Sequence, residues 1–140
     1  MEDNKTANQK SYQKAAKAGL CGSCRKAKRS KGMSTCVDCW FKLVALRTFG
    51  DSKRWEELRD LLISQAFSCA YTKRKLTIGK NASIEHIQPK SRFAKRAGDI
   101  KNLRWIDIEV NLMKRNLTMH EFLMFCKQVL SNFGYEVLKK

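Results

Sequence analysis

The sequence predicts an α+β fold in which a small cysteine-rich ribbon and linker helices precede a β-hairpin, a helix and a C-terminal helix. Four of the six cysteines form two CxxC pairs, which is typical of a small ribbon. Alternating apolar residues around a Gly/Asn turn indicate the hairpin, and apolar residues at helical spacing indicate the helices. The predicted segments are a basic flexible arm (1–18), the ribbon with its following helix (19–50), a linker or core helix (51–68) and the hairpin-helix domain (69–140).

The charge balance predicts a polyanionic partner. The 140 residues include 29 Lys+Arg and 13 Asp+Glu, for a formal charge of +16, which favours nucleic acid over an anionic membrane surface. The length excludes a large multilayer enzyme. Because no run of about 18 apolar residues occurs and the opening is polar, we expect no membrane association, no secretion and a reducing, cytoplasmic location.

The arm is the first element in chain order. It is basic and has little apolar periodicity, so we expect a mobile segment or a frayed helix that acts as a solvated tail or tracks DNA.

The ribbon follows, with Cys21, Cys24, Cys36 and Cys39 as its paired cysteines. In a reducing compartment this spacing predicts a structural zinc site with four sulfur ligands, whereas two disulfides or buried thiols are the alternatives. The loop between the pairs is basic and almost free of apolar residues. We expect this loop to contact DNA phosphates through its basic side chains, and the alternative is a solvated charge run. The basic residues are Arg25, Lys26, Lys28, Arg29 and Lys31.

Two helices are predicted next, from 37 to 48 and from 51 to about 66, each with an apolar side. The hairpin is predicted to pair a strand through Leu76 and Ile78 with a second strand through Ile84 and Ile87. An irregular loop from 88 to 102 carries basic residues that we expect to bind DNA, namely Lys90, Arg92, Lys95 and Arg96. A short apolar segment, a helix capped by Asp107 and a final helix with a capping box at Thr118 complete the chain.

Three pieces of this second half occur in a fixed order: Glu85-His86-Ile87-Gln88-Pro89, then Asn102-Leu103, then Asn111 followed by Lys114. Together they resemble the HNH family of nucleases, whose architecture is the ββα-metal fold. The resemblance covers about 69–125. Within the family, it is to small phage-type HNH proteins that have a zinc ribbon ahead of the nuclease.

The resemblance implies that His86 is the general base, that Glu85 and Asn111 bind a catalytic Mg²⁺ or Mn²⁺, and that Asn102 is a catalytic-site residue that braces the loop. Phosphodiester hydrolysis needs an activated water and relief of charge on the phosphate, which a neutral imidazole and a divalent ion provide. Neighbours on a regular strand point to opposite faces, so Glu85 and His86 share a site only if the strand ends or bulges there. Pro89 favours that ending.

Each residue also has a simpler interpretation. His86 is otherwise a surface histidine or one whose hydrogen bonds are satisfied within the fold, and Glu85 is otherwise the cross-strand ion-pair partner of a lysine. Lys114 either contacts phosphate or supports Asn111.

We therefore expect a divalent-metal-dependent endonuclease acting on double-stranded DNA, of phage or mobile-element origin and of homing or restriction type. It would be a monomer if it nicks and a dimer if it cuts both strands. The alternatives are a non-catalytic zinc-ribbon nucleic-acid-binding protein with a degenerate HNH unit, and an RNA-binding basic protein.

Overall fold

The computed structural model describes residues 6–138 of the chain. It is mixed α and β, which confirms the predicted class at this level. The residues group into two compact units: the first comprises Met1–Asp60 with Thr77–Lys80, and the second comprises Leu61–Leu76 with Asn81–Lys140. The sequence boundary at 69 therefore differs from the structural one, because 61–68 belong with the second unit.

The first unit begins with a helix where the sequence favoured a mobile arm. Helix α1 spans Ala7–Lys17 and starts with a closed capping box, in which Thr6 and Gln9 each bond the other's backbone N–H. This cap satisfies two of the N–H groups that a helix start leaves without partners, so the helix is well defined despite its polar sequence. The first five residues of the predicted arm lie outside the described residues.

Helix α2 spans Val37–Phe49 and buries Phe41 and Ala45 on its apolar side. It ends at Gly50, which adopts φ 74°, a left-handed conformation that glycine takes at little cost. A 3-10 turn at Ser52–Arg54 leads into helix α3, Trp55–Ser64. These bounds agree with the two helices that the sequence predicts.

The second unit contains a two-stranded antiparallel sheet. Strand β1 spans Ala82–His86 and strand β2 spans Leu103–Asp107, with Ala82 opposite Asp107 and His86 opposite Leu103. The predicted hairpin partner was wrong: the segment through Leu76 and Ile78 forms no strand among the described residues, and only an isolated bridge joins Ser68 to Lys75. The true partner is the short apolar segment, which is buried on both faces and so shows no alternation.

Two helices complete this unit. Helix α4, Ile108–Lys114, follows β2 directly and is capped by the Asp107 side chain, which accepts from the Glu109 N–H at 2.9 Å. Helix α5, Met119–Asn132, starts with the predicted capping box between Thr118 and Glu121. The apolar core of the unit consists of hydrophobic side chains with at most 2% exposure, namely Leu62, Cys69, Leu76, Leu103, Trp105 and Ile106.

In the part of the chain that the structure describes, no helix combines the length and the apolar character needed to cross a bilayer.

Candidate functional site

Four cysteine sulfurs converge in the first unit. The Sγ atoms of Cys21, Cys24, Cys36 and Cys39 all lie within 4.8 Å of one another, and those of Cys24 and Cys36 are 4.0 Å apart. A disulfide needs about 2.0 Å between sulfurs. Sulfurs around a tetrahedral zinc with bonds of about 2.3 Å are about 3.8 Å apart. The four cysteines are therefore close enough to hold a metal ion such as zinc, as their spacing predicts.

The environment shifts the pKa values of two of these thiols in opposite directions. Burial alone would raise the pKa of Cys21, but backbone N–H groups of Cys24, Cys36 and Ser23 outweigh it and lower the pKa to about 6. The pKa of Cys39 is raised to about 12 by burial and by its cysteine neighbours. Neighbouring thiols resist holding several negative charges together, and a bound cation would relieve that repulsion.

The basic loop between the cysteine pairs is mostly exposed, at Lys26, Lys28, Arg29 and Lys31. Arg25 differs, because its guanidinium donates to Ser11 Oγ at 3.0 Å and to Asn8 Oδ1, both on α1. Arg25 therefore links the basic loop to α1 within the first unit, and its contact with DNA stays a prediction.

The second candidate site is a cleft in the second unit. Strand β1 ends at His86, so the regular alternation stops there, and Glu85, His86 and Asn111 all line one cleft of about 230 Å³. Glu85 and His86 can therefore face the same cleft, as the sequence analysis required of a strand that ends at this point.

His86 is held in one orientation. Its Nε2 lies 3.1 Å from the carbonyl oxygen of Ala97. Because a carbonyl can only accept, Nε2 carries the proton in this arrangement and Nδ1 keeps its lone pair. Burial lowers the pKa of His86, and this outweighs the rise caused by the bond to the Ala97 carbonyl; Lys90 and Lys114 also lower the pKa, so the neutral imidazole is favoured.

Glu85 lies beside a lysine. Its carboxylate is only 3% exposed, and Oε1 forms an ion pair with Nζ of Lys114, whose side chain is fully buried. Burial raises the pKa of Glu85, whereas the Lys114 ammonium opposes that rise. The position of Lys114 overturns its predicted phosphate contact, because Nζ faces Glu85 and the carbonyl of Leu117 inside the protein.

Asn111 projects from α4 toward β1. Its Nδ2 donates to Ser83 Oγ at 2.8 Å and to the Ile84 carbonyl at 2.9 Å. Both amide hydrogens are used, which fixes the orientation of the group. Oδ1 is the polar atom of this side chain that remains for a ligand.

Asn102 closes the loop after β1 instead of facing the cleft. Its Oδ1 accepts from the Gln88 N–H at 2.9 Å, and its Nδ2 donates to the carbonyls of Gln88 and Arg96 at 3.1 and 3.2 Å. It is 2% exposed, so every polar atom of this buried side chain has a backbone partner.

The basic residues of that loop divide into two groups. Arg92 pairs with Glu121 at 2.6 Å, and Arg96 pairs with Asp99 at 3.1 Å. Lys90 and Lys95 are exposed, and Lys90 lines the cleft.

Sequence reasoning missed the arginine of the cleft. Arg115 is exposed and lines the cleft beside His86, directly after the buried Lys114. The only signal was an arginine at the predicted end of the helix. The sequence does not indicate whether Lys114 or Arg115 turns into the protein.

No protein-family model matches the chain, and no curated protein is detectably similar to it. The resemblance to HNH nucleases accordingly rests on its residues and stays a prediction.

Proposed function

We propose that this protein is a divalent-metal-dependent DNA endonuclease of the HNH type that hydrolyses phosphodiester bonds. The observation that carries the proposal is the oriented histidine: Nε2 of His86 lies 3.1 Å from the Ala97 carbonyl oxygen, which leaves Nδ1 as the basic nitrogen, and Glu85 and Asn111 line the same cleft as His86. An oriented, neutral base beside oxygen donors, in a chain of charge +16, suits the attack of water on a DNA phosphate.

In this proposal His86 does the proton chemistry. Nδ1 removes a proton from the attacking water, and the imidazolium that forms is stabilised and kept in place by the Ala97 carbonyl through Nε2. Asn102 supports this geometry, because it bonds Arg96, the residue before Ala97, and so fixes the loop. Ser83 and Ile84 keep the Asn111 amide turned so that its oxygen is available.

The donor chemistry fits a hard divalent ion. One carboxylate and one amide oxygen are ligands that Mg²⁺ and Mn²⁺ accept, with room left for water and phosphate. When bound by Glu85 and Asn111, the ion would neutralise charge on the phosphate and on the leaving 3′ oxygen.

The cysteine cluster has a structural role in this account. Zinc on Cys21, Cys24, Cys36 and Cys39 would fix the basic loop between them, which has little core of its own. Lys26, Lys28, Arg29 and Lys31 would then contact DNA phosphates from a rigid platform, and Lys90 and Lys95 would do so near the cleft.

The reduced cysteines suit a cytoplasmic setting, and the family resemblance favours a phage or mobile-element enzyme of homing or restriction type. One cleft per chain makes a single nick per encounter, so cleavage of both strands would require a dimer or two encounters.

The test is cleavage of supercoiled plasmid by the purified protein with Mg²⁺, with Mn²⁺ and with neither, followed by sequencing of the ends. We expect nicking that needs the added metal and is lost in His86→Ala. His120→Ala is the matched control, since His120 is the other histidine, is exposed and does not line the cleft. Full activity of His86→Ala would refute the mechanism.

A second function is favoured by one observation. The ion pair between Glu85 and Lys114 already neutralises the carboxylate, as in a cleft that has no metal to bind. The protein would then be a non-catalytic nucleic-acid-binding module with a degenerate HNH unit. Tight DNA binding without cleavage under any of the metal conditions would support it.

A further inference from the structure

Arg115 occupies a backbone conformation that ordinarily belongs to glycine. It has φ 50° and ψ −121°, and the Leu117 N–H donates to the Lys114 carbonyl at 3.0 Å across it. These values describe the first central position of a type II′ turn, where a side chain is disfavoured and glycine dominates. An arginine here is therefore a strained choice.

The turn cannot relax, because a buried side chain holds both of its ends. Lys114 is fully buried, and its Nζ pairs with Glu85 and also donates to the Leu117 carbonyl at 2.5 Å. The two ends of the turn, Lys114 and Leu117, are thus held by the same ammonium. Strain of this kind persists where the surroundings impose it, and it is concentrated at functional sites.

The strained residue directs its side chain to the cleft. Arg115 is exposed there beside His86, Lys90 and Asn111. Among residues 6–138 its guanidinium has no hydrogen bond or ion pair, in contrast to Arg92 and Arg96, which pair with Glu121 and Asp99. The N–H donors of Arg115 are therefore available to a ligand in the cleft.

We propose that Arg115 is a phosphate-binding residue of the cleft, whose guanidinium holds the DNA phosphate on which His86 acts. This inference rests on the proposed function and adds to it the residue that positions the substrate. A guanidinium presents a planar fork of N–H donors that matches two phosphate oxygens, which a lysine cannot reproduce.

The test compares three variants of the full chain. Arg115→Gly removes the guanidinium and gives the turn its favoured residue. Arg115→Lys keeps the charge and loses the fork. Lys73→Gly is the matched control, because Lys73 also combines a positive charge, exposure and a left-handed φ of 62°, yet it does not line the cleft.

Thermal unfolding, duplex-DNA affinity over a range of salt concentrations, and cleavage at saturating DNA are measured for each. We expect Arg115→Gly to unfold at or above the wild-type temperature, since the substitution relieves strain. Its log-log salt slope should fall by about 0.9 for one lost phosphate contact. Its cleavage should fall about 100-fold, the usual effect of removing one donor to developing charge. Arg115→Lys should keep the slope and cleave at an intermediate rate, and Lys73→Gly should match wild type in affinity and cleavage.

Wild-type affinity and salt slope in Arg115→Gly would overturn the inference, and so would an equal loss in Lys73→Gly. If the wild-type protein binds DNA but cuts none, the proposed function fails. The salt slopes then still decide whether Arg115 binds phosphate.

Discussion

The cysteine cluster and the cleft differ in whether a side chain of the protein supplies a positive charge to the site. The cluster brings four thiols within 4.8 Å with no cationic side chain bonded to their sulfurs among the described residues. The cleft supplies its own cation, because Lys114 pairs with Glu85, and its polar groups are oriented by hydrogen bonds within the second unit. The comparison teaches that the cysteine cluster is close enough to hold a metal ion and has no cation of its own, whereas the cleft residues are oriented by bonds within the protein. If the cleft binds the divalent ion that we propose, we expect that binding to be weak until DNA adds phosphate oxygens.

The largest expected effect comes from removing one sulfur ligand. Cys39→Ser should abolish stoichiometric zinc binding and unfold the ribbon, because metal binding in small zinc modules contributes on the order of 10 kcal/mol. Metal content of the purified protein and circular dichroism with and without a zinc chelator measure it.

Cys126→Ser is the control, since Cys126 lies on α5 outside the cluster. If wild type carries no metal, and Cys39→Ser unfolds at the same temperature as Cys126→Ser, the cluster is not a metal site. The contrast drawn above between the cluster and the cleft would then be wrong.

The next effect concerns the buried cation of the cleft. Lys114→Met leaves the Glu85 carboxylate buried without a counter-charge and should destabilise the protein by about 3–5 kcal/mol near neutral pH. The double variant Lys114→Met with Glu85→Gln should recover a large part of that loss, because no buried charge is left. Chemical denaturation of the single and double variants measures the difference.

The pH dependence of Lys114→Met gives a second check. Burial already raises the pKa of Glu85, and the loss of Lys114 removes the interaction that opposes the rise. A carboxyl whose pKa is higher in the folded state is protonated preferentially there, so its contribution to stability is present at low pH and is lost as pH rises through the folded pKa. The variant should thus gain stability relative to wild type on acidification, and a constant difference across the range would contradict the account.

The smallest effect is expected at the exposed lysines of the basic loop. Lys26→Ala with Lys28→Ala should lower the salt slope of DNA binding by about 2, because each phosphate contact contributes about 0.9. Cleavage at saturating DNA should be unchanged, since neither residue lines the cleft. An unchanged slope would mean that these lysines are a solvated charge run.

The predictable parts of both sites are those that local sequence determines. The CxxC spacing specifies the approach of the four cysteines, and Asp107 and Thr118 mark helix starts that the structure confirms. Strand β2 was missed because Leu103, Trp105 and Ile106 are all buried, which removes the alternation that signals a strand.

Long-range partners were the other limit. Successive residues on a helix differ by about 100° in direction, so the sequence could not tell that Lys114 turns inward to Glu85 whereas Arg115 reaches the cleft. The bond from Arg25 to Ser11, 14 residues earlier, likewise has no signature in spacing.

The measurement that tests the central claim most directly is the single-turnover cleavage rate of His86→Gly on duplex DNA, with and without added imidazole. The account predicts that this variant binds DNA like wild type, cleaves about 100-fold or more slowly, and regains activity as free imidazole is added. His120→Gly should cleave at the wild-type rate. A His86→Gly variant that cleaves as fast as wild type, with no response to imidazole, would contradict the assignment of His86 as the general base.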